Sequence, residues 1–155
     1  MKNLTLLLLL AVVTMSCTAQ RNYAGVINES NGKVGIGTKT PDELLTVKGK
    51  IHTQEVLVDL NGAVAPDYVF ELYFTGASEV KPDYKMLSLQ ELSAYIEAYH
   101  HLPEVPSATE LEANGLQLKE MNLVLLQKIE ELTLYTLEQQ KEIETLKEKV
   151  SKIEN

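Results

Sequence analysis

The sequence predicts an elongated α+β chain made of three successive parts: a short β-rich region, a small mixed α/β adapter and a long C-terminal parallel coiled coil. Three observations carry this reading. From Leu116 to Asn155 apolar residues recur in the alternating four-three spacing of a helical seam, with no glycine or proline after Gly115. Between Asn22 and Leu60, glycines break up short apolar runs, as turns between strands do. Between Pro66 and Gly115, Ser88-x-x-Glu91 and Ser107-x-x-Glu110 have the pattern of capping boxes that open helices.

The chain carries 14 basic and 22 acidic residues among 155, a net charge of −8. Such acidity excludes partners held by phosphate neutralisation, so neither nucleic acid nor an anionic membrane surface is expected. Residues 1–19 read as a signal peptide. Lys2 supplies the positive end, and Leu4 to Val13 is an apolar stretch far shorter than the ~20 residues of a spanning helix. Cleavage before Gln20 would use Cys17 and Ala19 as the small flanking residues. Cleavage before Cys17 would follow Thr14-Met15-Ser16-Cys17, which resembles a bacterial lipoprotein box except that Thr14 and Met15 depart from the usual Leu and small residue. Either route predicts an exported chain, secreted or at the outer cell surface, touching a membrane only through a lipid on Cys17. Cys17 is the single cysteine, so an intrachain disulfide is excluded.

Residues 20–65 read as β. Val34 and Ile36 alternate with Gly35 and Gly37, giving a strand with one bulky and one bare face. Thr40-Pro41-Asp42-Glu43 has the signature of a single helical turn, with Thr40 as cap and Pro41 in the first helical position. Leu45, Val47 and Ile51 resume the alternation, whereas Val56, Val58 and Leu60 fall on the opposite phase, which predicts a bulge or turn near Gln54. Asn-Gly-x-Val occurs at both Asn31–Val34 and Asn61–Val64, an echo too short to define a repeat.

Residues 66–115 form the adapter. Tyr68, Phe70, Leu72 and Phe74 alternate with Val69, Glu71 and Tyr73, as in a half-buried strand. Thr75 to Asp83 reads as a loop. The Ser88 box opens a helix to about His100 with Leu92, Tyr95, Ile96 and Tyr99 on one face. Pro103 and Pro106 force an extended exit, and the Ser107 box opens a short helix that ends at Asn114-Gly115.

Residues 116–155 form the coiled coil. With Ile129 at heptad position a, the a layer also holds Asn122, Thr136, Ile143 and Val150. The d layer holds Leu118, Leu125, Leu132, Gln139, Leu146 and Ile153. A helix of that length, roughly 55 Å at ~1.5 Å per residue, cannot be covered by the rest of so small a chain. Further copies of the chain are therefore its expected partners. Glu142 at g with Lys147 at the next e, and Lys149 with Glu154, make opposite-charge pairs across parallel, in-register helices. Each is worth ~0.2–1 kcal/mol, enough to bias orientation. Asn122, Thr136 and Gln139 are polar layers that cost stability but can set register, while Thr136–Gln139 reads equally as a loose hydrated segment. Ile at a with Leu at d leans towards a dimer, and Ile153 at d towards a higher order. Leu123, Leu126, Leu134 and Leu137 form a second stripe, interrupted by Glu130, on which the Tyr68–Phe74 and Ser88–His100 segments are expected to pack. Beyond Leu137 only the seam is apolar, as in a free rod.

Two stretches resemble a known family. Val34-Gly35-Ile36-Gly37-Thr38, Pro41, Leu45, Val47, Gly49 and Ile51 are similar to the VGIGT-x-x-P-x-x-x-L-x-V-x-G-x-I unit of phage tail-fibre-like proteins and large Bacteroidetes surface proteins. The C-terminal module of Bacteroidetes tail-fibre-like proteins is resembled by Pro66-Asp67-Tyr68-Val69-Phe70, Tyr84, Leu87-Ser88-Leu89, His101-Leu102-Pro103 and Pro106-Ser107-Ala108. The same module is resembled by Asn114-Gly115, Glu120-Met121-Asn122 and Glu130 to Tyr135. The likeness runs from about Val34 to Tyr135 and departs at Leu72–Asp83, where this chain has an insertion. It implies a β-fibre region whose intertwined β-structure is trimeric. With the seam it makes a parallel homotrimer the expected assembly, with Gly35, Gly37 and Gly49 allowing three backbones close approach and a dimer as the competing outcome.

Chemistry-bearing constellations are few. His100-His101 with Glu104 diverge at a helix end and His52 stands alone, so no metal site is expected. Gly35-x-Gly37 lacks the helix glycine of a phosphate loop, no G-x-S-x-G occurs, and the acidic residues fall on solvated faces. No catalytic residue, metal or cofactor is predicted, and the chain is not expected to be an enzyme. Some tail spikes end in a chaperone that cuts itself off at a Ser-Asp bond. That dipeptide does not occur here, the nearest being Ser78-Glu79. A structural stalk or trimerisation module is therefore the leading expectation. The alternatives are an adhesin binding a surface glycan or protein through residues 66–115, and a self-cleaving chaperone.

Overall fold

The structure, a computed structural model, describes residues 26–153. The signal-peptide and Cys17 assignments and Glu154 of the second charge pair lie outside the described residues. These form an α+β chain with a three-stranded sheet and a long C-terminal helix, and divide into two compact units at Val56/Leu57.

The first unit is the sheet, in the order β1 (Ile27–Ser30), β2 (Lys33–Ile36), β3 (Leu45–Val47). Asn31 and Gly32, at φ 52° and 74°, close β1 and β2 into an antiparallel hairpin through the turn geometry that suits strand twist. β3 runs parallel to β2, with Val34 opposite Leu45 and Ile36 opposite Val47. The bare face expected of β2 is used at once. A Cβ on Gly35 would stand 2.4 Å from the Thr38 carbonyl oxygen, and one on Gly37, at φ 72°, would stand 2.9 Å from that of Lys48. These two glycines are therefore required by the fold of a single chain, so their presence no longer argues for close approach about a threefold axis.

The helical turn expected at Thr40–Glu43 is absent. Thr46 of β3 donates from Oγ1 to the Asp42 carboxylate at 2.6 Å and accepts from the Glu43 N–H at 3.1 Å. A strand hydroxyl thus takes the N–H that a helical turn needs and holds the Asp42 carboxyl below its usual range. The alternation predicted through Leu60 also stops early. Residues 48–65 carry no strand and Gln54 no bulge, and Ile51, Val56, Leu57 and Leu60 are exposed. Alternation supplies a face, but a strand also needs a ladder partner, which the described residues do not provide.

The second unit contains helices α1 (Tyr68–Thr75), α2 (Leu89–Tyr99), α3 (Ala108–Asn114) and α4 (Leu118–Ile153). α1 replaces the expected strand. Pro66 O accepts the Val69 N–H at 2.8 Å and Asp67 O that of Glu71 at 3.0 Å, while Gly76, at φ 84°, ends the helix on Leu72 O. The alternating aromatics favour a strand, but packing against α4 buries the adjacent pair Tyr68 and Val69, and tertiary context overrides propensity. With Tyr84 and Leu134 they form the core, flanked by Phe70, Leu72 and Met86.

Both capping boxes form in full. Ser88 and Ser107 accept from the N–H groups of Glu91 and Glu110, whose carboxylates accept in return from the serine N–H groups at 2.8 Å. α2 ends at His100, φ 60°, and α3 at Gly115, φ 76°. The second stripe of α4 needs correction. Leu134 is fully buried, but Leu126 and Leu137 are 42% and 54% exposed. The covered positions are Gln127, Glu130, Glu131, Leu134 and Tyr135. Nor does α2 lie on the stripe, since none of its residues is buried. Its start is tethered by the Tyr135 hydroxyl, which donates to Leu87 O at 2.6 Å.

Candidate functional site

α4 is two-faced. A residue advances about 100° around a helix, so with Ile129 at a the covered residues Gln127, Glu130, Glu131 and Leu134 fall at f, b, c and f, roughly half a turn from the a/d edge. Tyr135, at g, marks one border of the covered face. Every apolar seam residue (Leu118, Leu125, Ile129, Leu132, Ile143, Leu146, Val150 and Ile153) is between 44% and 84% exposed. The polar layers Asn122, Thr136 and Gln139 are exposed as well. The adapter thus grips α4 from behind and leaves all eleven predicted assembly positions uncovered along 36 residues.

The grip is a polar network that the sequence did not reveal. Gln127, 2% exposed, uses its whole amide. Its Oε1 accepts from the Tyr68 hydroxyl at 2.6 Å, and its Nε2 donates to Glu131 at 2.8 Å and to Glu104. Glu131 accepts further from Tyr84 at 2.9 Å and from Lys128 at 3.1 Å on each oxygen. Lys128 reaches Glu104 at 3.2 Å, and Lys81 donates to Tyr68 Oη at 3.1 Å while lying 4.6 Å from the centre of its ring. Residues from α1, the 78–84 loop and the 102–105 turn therefore converge on one turn of α4.

The electrostatics follow the contacts. Burial alone would lift Glu104, but hydrogen bonds from Gln127 and Lys128 hold it below the usual carboxylate range. Burial would lower Lys81, and its bond to Tyr68 together with the charge of Glu104 keeps it above the usual ammonium value. Burial and the bond to Glu131 push Tyr84 well up, so its hydroxyl stays a donor. A cleft of about 290 Å³ borders this network along Lys81, Tyr84, Pro103 and Lys128. A larger one of about 660 Å³ lies between α1, residues 85–91 and α4, lined by Leu72, Tyr73, Leu87, Leu89 and Tyr135.

The histidines resolve simply. His100 forms the α2 cap, and His101 packs its ring 5.8 Å from that of Tyr95 with Nδ1 3.0 Å from Leu102 O. Among the described residues no group of three or more His, Cys, Asp or Glu is placed to hold a metal, and no helix is long and apolar enough to cross a membrane. Against protein-family models, curated proteins and solved structures, the chain finds no match.

Proposed function

We propose that this chain is a non-enzymatic, secreted or surface-anchored structural protein, a tail-fibre-like stalk or trimerisation module whose partner is itself. The observation that carries this reading is the two-faced α4: its own adapter covers one side, and an apolar stripe on the opposite side is open from Leu118 to Ile153. Leaving about eight such side chains in water forgoes roughly 1.5–3 kcal/mol each, a loss that association removes in part. Glu142 and Lys147 favour parallel strands. The number three rests on the resemblance of the Val34–Ile51 stretch to trimeric fibre proteins, set against an Ile/Leu seam that leans towards two. Export, and a lipid on Cys17 as the only membrane attachment, belong to the same proposal.

The test is solution mass. Light scattering of the mature protein should give three times the chain mass, and Ile129→Lys with Leu132→Lys should give monomers. A clean dimer would overturn the stoichiometry, and a monomeric wild type the whole reading. A binding role for residues 66–115 has one observation in its favour, the partly exposed ring cluster of Tyr95, Tyr99 and His101, with Tyr99 60% exposed. Glycan-array binding that is lost in Tyr99→Ala would establish it, and an array without signal would count against it.

A further inference from the structure

The covered face of α4 contains one group that the network does not use. Glu130 is 7% exposed, and its Oε2 is sealed from solvent without a hydrogen-bond partner. A buried carboxylate oxygen left bare is costly enough that something ordinarily satisfies it. A second copy of the chain cannot, because Glu130 stands at b, away from the seam. Neither adapter cleft is lined by Glu130. The charged groups around it point the same way. α1 offers Asp67 and Glu71 and no lysine or arginine, while on α4 Lys128 is engaged by Glu131 and Glu104. Asp67, before the first residue of α1, has helical backbone angles rather than the extended ones of a capping residue, and its side chain makes no capping bond.

We propose that Glu130 is a proton site that sets how firmly α1 is held on α4. Neutral, its carboxyl is tolerated in the interface and can donate to Asp67. Ionised, it places a bare charge beside a second carboxylate and loosens the contact. Burial first, and the charge of Asp67 second, raise its titration above the usual carboxylate value. A proton taken up more readily in the docked state strengthens docking in acid, and that contribution is lost as pH rises through the titration of Glu130. The other carboxylates with displaced titrations among the described residues, Asp42, Glu91, Glu104, Glu110 and Glu120, are all lowered and act in the opposite sense.

Amide hydrogen exchange on the full chain tests this without reference to oligomer number. The protection of α1 amides is divided by that of α2 amides between pH 5 and 8, which cancels the chemical pH dependence of exchange. In the wild type the ratio should fall as pH rises, the sense that a raised titration requires. In Glu130→Gln it should stay flat at the acid value, and Asp67→Asn should move the fall to lower pH. A constant ratio in the wild type overturns the proposal whether or not the variants fold. So does a fall that persists in Glu130→Gln, or a fall that Asp67→Asn moves to higher pH.

Discussion

Gln127 occupies a position that heptad reasoning assigns to solvent, yet its amide oxygen and both its amide hydrogens are engaged, the oxygen by a tyrosine 59 residues earlier in the chain. Replacing it by Met keeps the volume but strips Tyr68 and Glu131 of a buried partner. We expect Gln127→Met to lower the stability of the second unit by about 2 kcal/mol in denaturant unfolding, since each orphaned group costs ~1–3 kcal/mol. Lys81→Met should cost under about 1 kcal/mol, because its ion pair with Glu104 is 39% and 45% exposed. Glu104 also has a defined pH signature. Its carboxyl is held below the ordinary value, so its contribution is present above about pH 4.5 and is lost as pH falls through the lowered titration. Glu104→Gln should accordingly shrink the loss of stability between pH 5 and 3, read as the thermal midpoint across that range. None of this network was legible in the sequence. Gln127, Lys128 and Glu131 are ordinary residues for a solvated helix face, and only the return of Tyr68, Tyr84 and Glu104 to the same turn makes them interior.

At the scale of elements, legibility followed how local the cause was. Both capping boxes are closed by residues three apart and appeared where their sequences placed them. α1 was misread because Tyr68–Phe74 satisfies a strand's alternation and a helix's needs together, and an eight-residue helix is set by what it packs on rather than by its own propensity. Its contact makes an asymmetric prediction for α4. Leu134→Ala should destabilise the second unit by about 2–5 kcal/mol, as a fully buried leucine does, whereas Leu137→Ala should change it by less than about 0.5 kcal/mol. Equal effects in thermal unfolding would mean that the adapter does not grip α4 here. The sheet yields a parallel contrast. Gly37→Ala combines a positive φ with a Cβ 2.9 Å from Lys48 O, and Gly35→Ala must displace Thr38, so each should cost about 1–3 kcal/mol and unpair β2 from β3 in hydrogen exchange. Gly49→Ala meets nothing within 4 Å and should be silent. If Gly49→Ala proved as damaging as the other two, a neighbour supplied by another copy would be the reason.

Among the described residues, the seam of α4 and the apolar residues between Ile51 and Val64 are both left exposed. The first was legible because heptad spacing is a property of one helix. The second was read as strands, since alternation does not say whether a partner strand lies in the same chain. If copies associate through the seam, thermal unfolding should depend on concentration, with the midpoint rising from 1 to 100 μM protein. Ile129→Lys with Leu132→Lys should abolish that dependence, and a wild-type midpoint independent of concentration would contradict association.

The placement of the adapter on the far side of α4 from the seam also orders events in time. The core and the polar network of residues 66–135 are built from contacts within one chain, and they leave the seam uncovered. If copies associate as proposed, a newly made chain could complete the fold of residues 66–135 while still single and then join others by collision of finished parts, at a rate set by how often chains meet. Chains whose seam is damaged should accumulate as folded, protease-resistant heads on fraying tails rather than as unfolded polypeptide. A cell making both kinds would hold a reservoir of competent but solitary units.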